Sequence, residues 1–137
     1  MKRELGDGFE LDDDLDRIDL AEVHRYLSEE SYWAKGREYA DVELLVQEAT
    51  RVVGLYHGGS QIGFCRAARC SPGLFYLADV YVLDDYRGRG LGVELVREMI
   101  ENGPFVDRRW VLHTRDMHSL YEKFGFGPNV RLMERGA

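Results

Sequence analysis

The most constraining stretch of this sequence is the join between the run Leu74 to Leu83 and the glycine-rich segment Arg87-Gly88-Arg89-Gly90-Leu91-Gly92 just after it. The run is long, aromatic and β-branched, and reads as a central strand. Beyond the glycines, Leu91, Leu95, Val96, Met99 and Ile100 fall on one stripe of a helix expected from about Gly90 to Asn102, where Asn102-Gly103-Pro104 ends it. Strand, glycine-rich turn and helix together form an arrangement that holds phosphates. The first amides of a helix have no intrahelical acceptor, and the helix dipole favours an anion there. This helix lacks an obvious Ser, Thr or Asp cap, as expected where a ligand satisfies those amides. The spacing G-x-G-x-G is not the G-x-G-x-x-G of a dinucleotide fingerprint, and the Gly-Lys-Ser/Thr ending of a P-loop is absent. Taken alone, the loop also admits the reading of a tight turn whose glycines only reverse the chain.

The flanking pattern predicts strands first, then a strand–helix–strand crossover. Phe9-Glu10-Leu11 reads as a short first strand running into the acidic turn Asp12-Asp13-Asp14. Asp19 is a plausible N-cap for a helix carrying Leu20, Val23 and Leu27, fading near Ser28. Glu29 to Trp33 reads as a loop, and Val42 to Ala49 as a second helix. Runs 51–56 and 61–67, joined by His57-Gly58-Gly59-Ser60, form a hairpin signal. Trp110 to Thr114 is expected as a strand, Ser119 to Phe124 as a short helix, and Val130 to Met133 as a closing strand. That order predicts an α+β fold, a mixed and mostly antiparallel sheet with helices on its faces, in one domain over residues 1–137.

Composition narrows the function classes. No stretch approaches the roughly 18 apolar residues of a membrane span, and the N-terminus lacks the apolar core of a signal peptide, so the expected compartment is the cytoplasm, with no membrane partner. Cys65 and Cys70 are too few for a disulfide framework and are expected as buried or half-buried free thiols. A net charge of −7 argues against nucleic-acid binding, despite the Arg87/Arg89 and Arg108-Arg109 pairs. His113, Asp116 and His118, with either cysteine, lack the spacing of known zinc motifs, and no metal is expected.

The motif Arg87-Gly88-Arg89-Gly90-Leu91-Gly92 resembles the R/Q-x-x-G-x-G/A signature of the GNAT superfamily of N-acetyltransferases. Asp79 to Tyr86 looks like that family's central strand and its approach to the loop, and Leu120-Tyr121-Glu122-Lys123-Phe124-Gly125-Phe126 resembles its L-Y-x-x-x-G-F ending. Together these segments cover roughly the C-terminal 65 residues. The resemblance implies acetyl-CoA as cosubstrate and a primary amine, on a small molecule or a peptide, as acceptor. It assigns cofactor contacts to Val80 and Val82 of the strand, to Arg87, Gly88, Arg89, Gly90, Leu91 and Gly92 of the loop, and to Thr114 at the end of the next strand. It also implies direct transfer without a covalent enzyme intermediate, and homodimers are common in the family. A non-catalytic CoA-binding or sensory module of the same fold is the alternative.

Acetyl transfer to an amine needs a neutral nucleophile, a stabilised oxyanion and a proton for the departing thiolate. By resemblance Tyr121 occupies the general-acid position; a core tyrosine is the other reading. Asp79 interrupts an apolar strand, and burial would raise its pKa toward that of a useful base. It could equally be a structural hydrogen-bonding Asp. Glucosamine-6-phosphate N-acetyltransferases carry an acidic pair here, whereas this chain has Ala78 in the first place. In the family the first two helices and the loop between them wall the acceptor side. Here that region holds Asp19, Glu22, Glu29, Glu30, Glu38, Asp41 and Glu43 against Arg17, Arg25, Lys35 and Arg37, with Tyr32 and Trp33 as aromatic faces. A cationic amine would suit it, although a solvated helix face would look the same.

Overall fold

The structure, a computed structural model, describes residues 1–136. Six strands form one sheet in sequence order: β1 (Lys2–Gly6), β2 (Phe9–Asp12), β3 (Arg51–His57), β4 (Ser60–Ser71), β5 (Leu74–Val82) and β6 (Arg109–Val111). Neighbours are antiparallel except β5 and β6, which run parallel because a helix, α3 (Leu91–Ile100), carries the chain back between them. Three more helices are α1 (Leu20–Arg25), α2 (Tyr39–Glu48) and α4 (His118–Glu122).

Side-chain alternation along the strands builds a core on each face. Val53, Leu55, Cys65 and Leu77 meet Leu95, Val96 and Met99 of α3, together with Tyr121 of α4. On the opposite face Val52, Phe64 and Tyr81 meet Val23 and Leu27 from the α1 segment and Val42 and Val46 of α2. A ten-residue helix is marginal alone, so α3 depends on this stripe, where each fully buried Leu, Val or Met contributes about 1.5–3 kcal/mol.

Several expectations need correction. A strand precedes the first one expected: β1 pairs with β2 across the turn Gly6-Asp7-Gly8. Its residues are mostly exposed, so it lacks the apolar alternation of a half-buried strand. The segment Val130 to Met133 is not a strand. The Asn129 side chain accepts from the Arg131 amide at 2.9 Å and its carbonyl from the Leu132 amide at 3.2 Å, which turns the chain. Val130 is left 98% exposed and Met133 93%. Cys65 is buried as expected, but Cys70 is exposed near the β4–β5 turn.

Of the loop expected from Glu29 to Trp33, Glu29 and Glu30 instead belong to a π-helical turn, Tyr26–Glu30, that continues α1, with the Ser31 amide bonded back to the Tyr26 carbonyl at 3.0 Å. Ser31 Oγ donates to the Leu27 carbonyl at 2.6 Å and accepts from the Ala34 amide at 3.1 Å, which fixes where Tyr32 and Trp33 leave the helix.

Candidate active site

Strands β5 and β6 pair only through Leu74–Arg109, Phe75–Trp110 and Tyr76–Val111, then part into a wedge. The Leu83 amide donates to the Ile62 carbonyl of β4 at 2.8 Å, so by strand alternation the Val82 amide and carbonyl face the wedge, away from β4. Val80 lines the same opening. Between these valines and the strand start, Asp79 makes a β-bulge at φ +55°, the left-handed region that Asp tolerates better than most residues.

Past Val82 the chain enters the glycine loop. Gly88 and Gly90 have φ +81° and +77°, and Gly90 stands at the N-cap of α3 with no side-chain cap. The first helical bond runs from the Glu94 amide to the Gly90 carbonyl at 3.2 Å, so the amides of Leu91, Gly92 and Val93 precede the ladder. Gly92 is informative because its φ is not positive and an added Cβ would meet no protein atom within 4 Å. Neither backbone conformation nor internal packing requires glycine there. Space kept open over free amides suits an external anion.

A cavity of about 540 Å³ runs from this loop along Val80 and Val82 to Tyr121. Tyr121 is 8% exposed, and among the described residues no protein group hydrogen-bonds its hydroxyl. Burial raises its pKa, with Cys65 and Tyr32 adding to the effect, so the phenol stays protonated at neutral pH. A second cavity of about 660 Å³ lies along β6 and shares Tyr121 as a wall.

The surroundings of Asp79 reverse the expected pKa shift. Burial alone would raise it, but the charges of Arg66 and Arg37 and hydrogen bonds from Arg66 and Trp33 outweigh burial and lower it. Arg66 Nε donates at 2.7 Å, Arg37 Nη1 at 3.0 Å and Trp33 Nε1 at 2.8 Å. A carboxylate held this firmly is a weak base at neutral pH. It pins the Trp33 loop to the bulge.

The other expected site residues divide between the two cavities. Val80, Val82, Arg87, Gly88, Gly90, Leu91 and Gly92 line the first with Tyr121. Arg87 is already engaged, donating from Nε to the Val82 carbonyl at 3.2 Å and from Nη2 to the Tyr26 hydroxyl at 2.9 Å. Arg89 is exposed, its guanidinium 5.6 Å from the Tyr86 ring centroid. Thr114 lines the second cavity, and its hydroxyl accepts the Met117 amide at 3.0 Å.

Sequence reasoning missed the supports. The Tyr86 hydroxyl lies 3.2 Å from His57 Nδ1, and the His57 ring stacks on Phe9 with centroids 4.1 Å apart, so the N-terminal hairpin braces the loop approach. The Tyr32 hydroxyl accepts the Arg115 amide at 2.9 Å while that guanidinium sits 3.8 Å from the Tyr32 ring centroid, tying the two walls together. Such long-range pairs leave no periodic signal. The aromatics in the acidic segment 29–33 were the available hint. Among the described residues no three metal-ligating side chains converge, and no helix is long and apolar enough to cross a membrane.

Comparison with known proteins agrees with this architecture. The acetyltransferase (GNAT) domain model matches residues 48–128. A Xanthomonas campestris pv. campestris protein of the GNAT family superposes with a TM-score of 0.86 at 32% identity, covering 94% of this chain and 93% of that one. A Deinococcus radiodurans R1 structure gives 0.73 at 20% identity over 97% and 91%. A Brucella melitensis GNAT acetyltransferase solved with acetyl-CoA gives 0.70 at 20% identity over 96% and 95%. A search of curated proteins returns no match. With its wedge, glycine loop and helix in this order, the chain belongs to the GNAT acetyltransferase family.

Proposed function

We propose that this protein is an acetyl-CoA-dependent N-acetyltransferase that moves an acetyl group directly to a primary amine. The observation that carries the reading is the continuous cavity from the uncapped start of α3 to Tyr121, bordered by the unpaired edge of β5. The residues fit the cosubstrate. The amides of Leu91, Gly92 and Val93 would take the pyrophosphate, and the Val80 and Val82 main chain would take the pantetheine arm as an added strand. When bound, acetyl-CoA supplies the activated acyl group as a thioester. The Val82 amide would lie against the acyl oxygen. Tyr121, kept protonated by its burial, is the proton donor to the departing sulfur.

The acceptor enters beside Trp33, 43% exposed in the loop that follows the π-helical turn. Much of the acidic wall is already paired. Glu22 and Glu30 hold Arg25, and Asp19 caps α1. A preference for cationic amines would then rest on the field of Glu29, Glu38, Asp41 and Glu43, and on the Trp33 face. The test is release of free thiol from acetyl-CoA across a panel of polyamines, aminoglycosides, lysine-like amines and amino-sugar phosphates. Thiol release with acetylated product supports the reading. Tight acetyl-CoA binding without transfer to any amine would favour the CoA-binding module instead.

A further inference from the structure

The end of the first cavity that the cofactor leaves free is walled by aromatic and thioether side chains, and the charges beside them are already matched. We propose that the acceptor is a primary amine with a flat aromatic body and no second charged group, packed against Trp33, Tyr32 and Met117. The inference rests on the N-acetyltransferase reading above and names the acceptor class of that same site.

The glycine loop and the β5 edge give one end of the cavity to the cofactor. Two segments build the other end: the loop that follows the π-helical turn, and the chain between β6 and α4. Tyr32 and Trp33 come from the first, and Met117, at the N-cap of α4, from the second. They are 39%, 43% and 48% exposed, so large apolar surface stands open to water at this end. One such side chain alone needs no explanation. Three converging in one concave site make a surface suited to an apolar ligand.

These side chains are held in place before any ligand arrives. Trp33 Nε1 donates to Asp79 at 2.8 Å, and the Tyr32 ring meets the indole edge-on, with centroids 5.1 Å apart and planes at 80°. Tyr32 is fixed in turn by the Arg115 amide on its hydroxyl at 2.9 Å and by the Arg115 guanidinium 3.8 Å from its ring centroid. The Met117 main chain is tied to the Thr114 hydroxyl at 3.0 Å. Rings fixed in this way lose little conformational freedom when an aromatic ligand packs on them, and the thioether suits the edge of that ligand's ring.

The charges set the other limit. Among the described residues the carboxylates lining this cavity are Glu30 and Asp116. Glu30 holds Arg25, and Asp116 lies 3.8 Å from the Arg115 guanidinium. Asp79, which anchors Trp33, is taken by Arg66 and Arg37. A second ammonium, as on a polyamine or an aminoglycoside, therefore finds each lining carboxylate matched by a guanidinium and is repelled by Lys123, which also lines the cavity. An anionic group would face the field of Glu29, Glu38, Asp41 and Glu43 and compete with Asp116 for Arg115. The one charge that suits the site is the reacting ammonium, which that field still attracts.

The test measures thiol release from acetyl-CoA with phenethylamine, n-butylamine, spermidine and glucosamine-6-phosphate, and binding of each amine to the CoA-saturated protein by calorimetry. Wild type should favour phenethylamine over n-butylamine by at least about tenfold in kcat/KM and in affinity, because the ring buries apolar area that the butyl chain cannot. Met117→Ala trims an exposed side chain and should cut that preference about threefold, and Trp33→Leu about tenfold. If Trp33→Leu does not fold without its bond to Asp79, Met117→Ala decides alone. A wild-type preference below about twofold, or one that Met117→Ala leaves unchanged, would overturn the aromatic acceptor while acetyl transfer stands. So would a higher kcat/KM with spermidine or glucosamine-6-phosphate. Phenethylamine bound by the CoA complex, with no thiol release in the presence of any amine of the panel, would overturn transfer and keep the aromatic subsite. Wild-type protein that neither binds nor acetylates any of these amines would overturn both.

Discussion

Replacing Asp79 tests the support of the site most severely. Asp79→Ala removes the shared acceptor of Arg66 Nε, Arg37 Nη1 and Trp33 Nε1. Arg37 and Trp33 reach water and recover part of the loss, whereas the Arg66 side chain is only 12% exposed and keeps an uncompensated charge. Breaking a buried pair from one side costs about 3–5 kcal/mol, and the lower end applies here because two of the three donors can rehydrate. Alanine at φ +55° adds about 1 kcal/mol of backbone strain. The total of about 4 kcal/mol corresponds to a fall in Tm of roughly 10–20 °C for a chain of this length. Asp79→Gly should recover about 1 kcal/mol of it, since glycine accepts the left-handed conformation.

The pH dependence follows from the direction of the shift. The folded pKa of Asp79 is lowered, so its contribution is fully present above the ordinary carboxylate value near about 4 and fades as pH falls through the folded value. Thermal denaturation of wild type, Asp79→Ala and Asp79→Gly should give a gap that is constant between about pH 6 and 8 and narrows in acid. A Tm for Asp79→Ala within about 3 °C of wild type would refute the clamp. So would a gap that widens as pH falls.

Tyr121→Phe keeps the ring and removes the proton, so turnover should drop on the order of 10²-fold with acetyl-CoA affinity little changed; unchanged turnover in a chemistry-limited assay would reject the role. If Glu29, Glu38, Asp41 and Glu43 steer a cationic amine, its kcat/KM should fall as salt rises, over a Debye length near about 10 Å at 0.1 M. A preference for amino-sugar phosphates, or salt independence with the best amine, would show that the acidic segment is only a solvated face.

The central strand, the glycine loop and α3 were legible because each carries a local signal: an apolar run, a helical stripe and a missing cap. The β3–β4 hairpin was legible for the same reason, with Gly58-Gly59 between apolar runs. The β1 strand was not, since Lys2 to Gly6 lies at a solvated sheet edge where no face demands apolar residues. The segment Val130 to Met133 misled in the other direction: its composition suits a strand, yet Asn129 accepts from the Arg131 and Leu132 amides and holds it in a turn. Asp79 is the sharpest lesson for the site. Its burial was readable from its neighbours in sequence, but the sign of its pKa shift depended on Arg37 and Arg66, brought to it from 42 and 13 positions away. The Tyr76–His113 contact likewise spans 37 positions.

The most direct measurement is calorimetric titration of acetyl-CoA into wild type and Gly92→Glu. A Cβ added at Gly92 meets no neighbouring atom within 4 Å, so the variant should fold, which circular dichroism checks, while its carboxylate is carried at the start of α3 beside the free amides. The expected result is one-to-one binding by wild type and a loss of at least about tenfold in affinity in the folded variant, from bulk and charge repulsion at the pyrophosphate position. A folded Gly92→Glu protein that binds acetyl-CoA as tightly as wild type would contradict the assignment of this cavity.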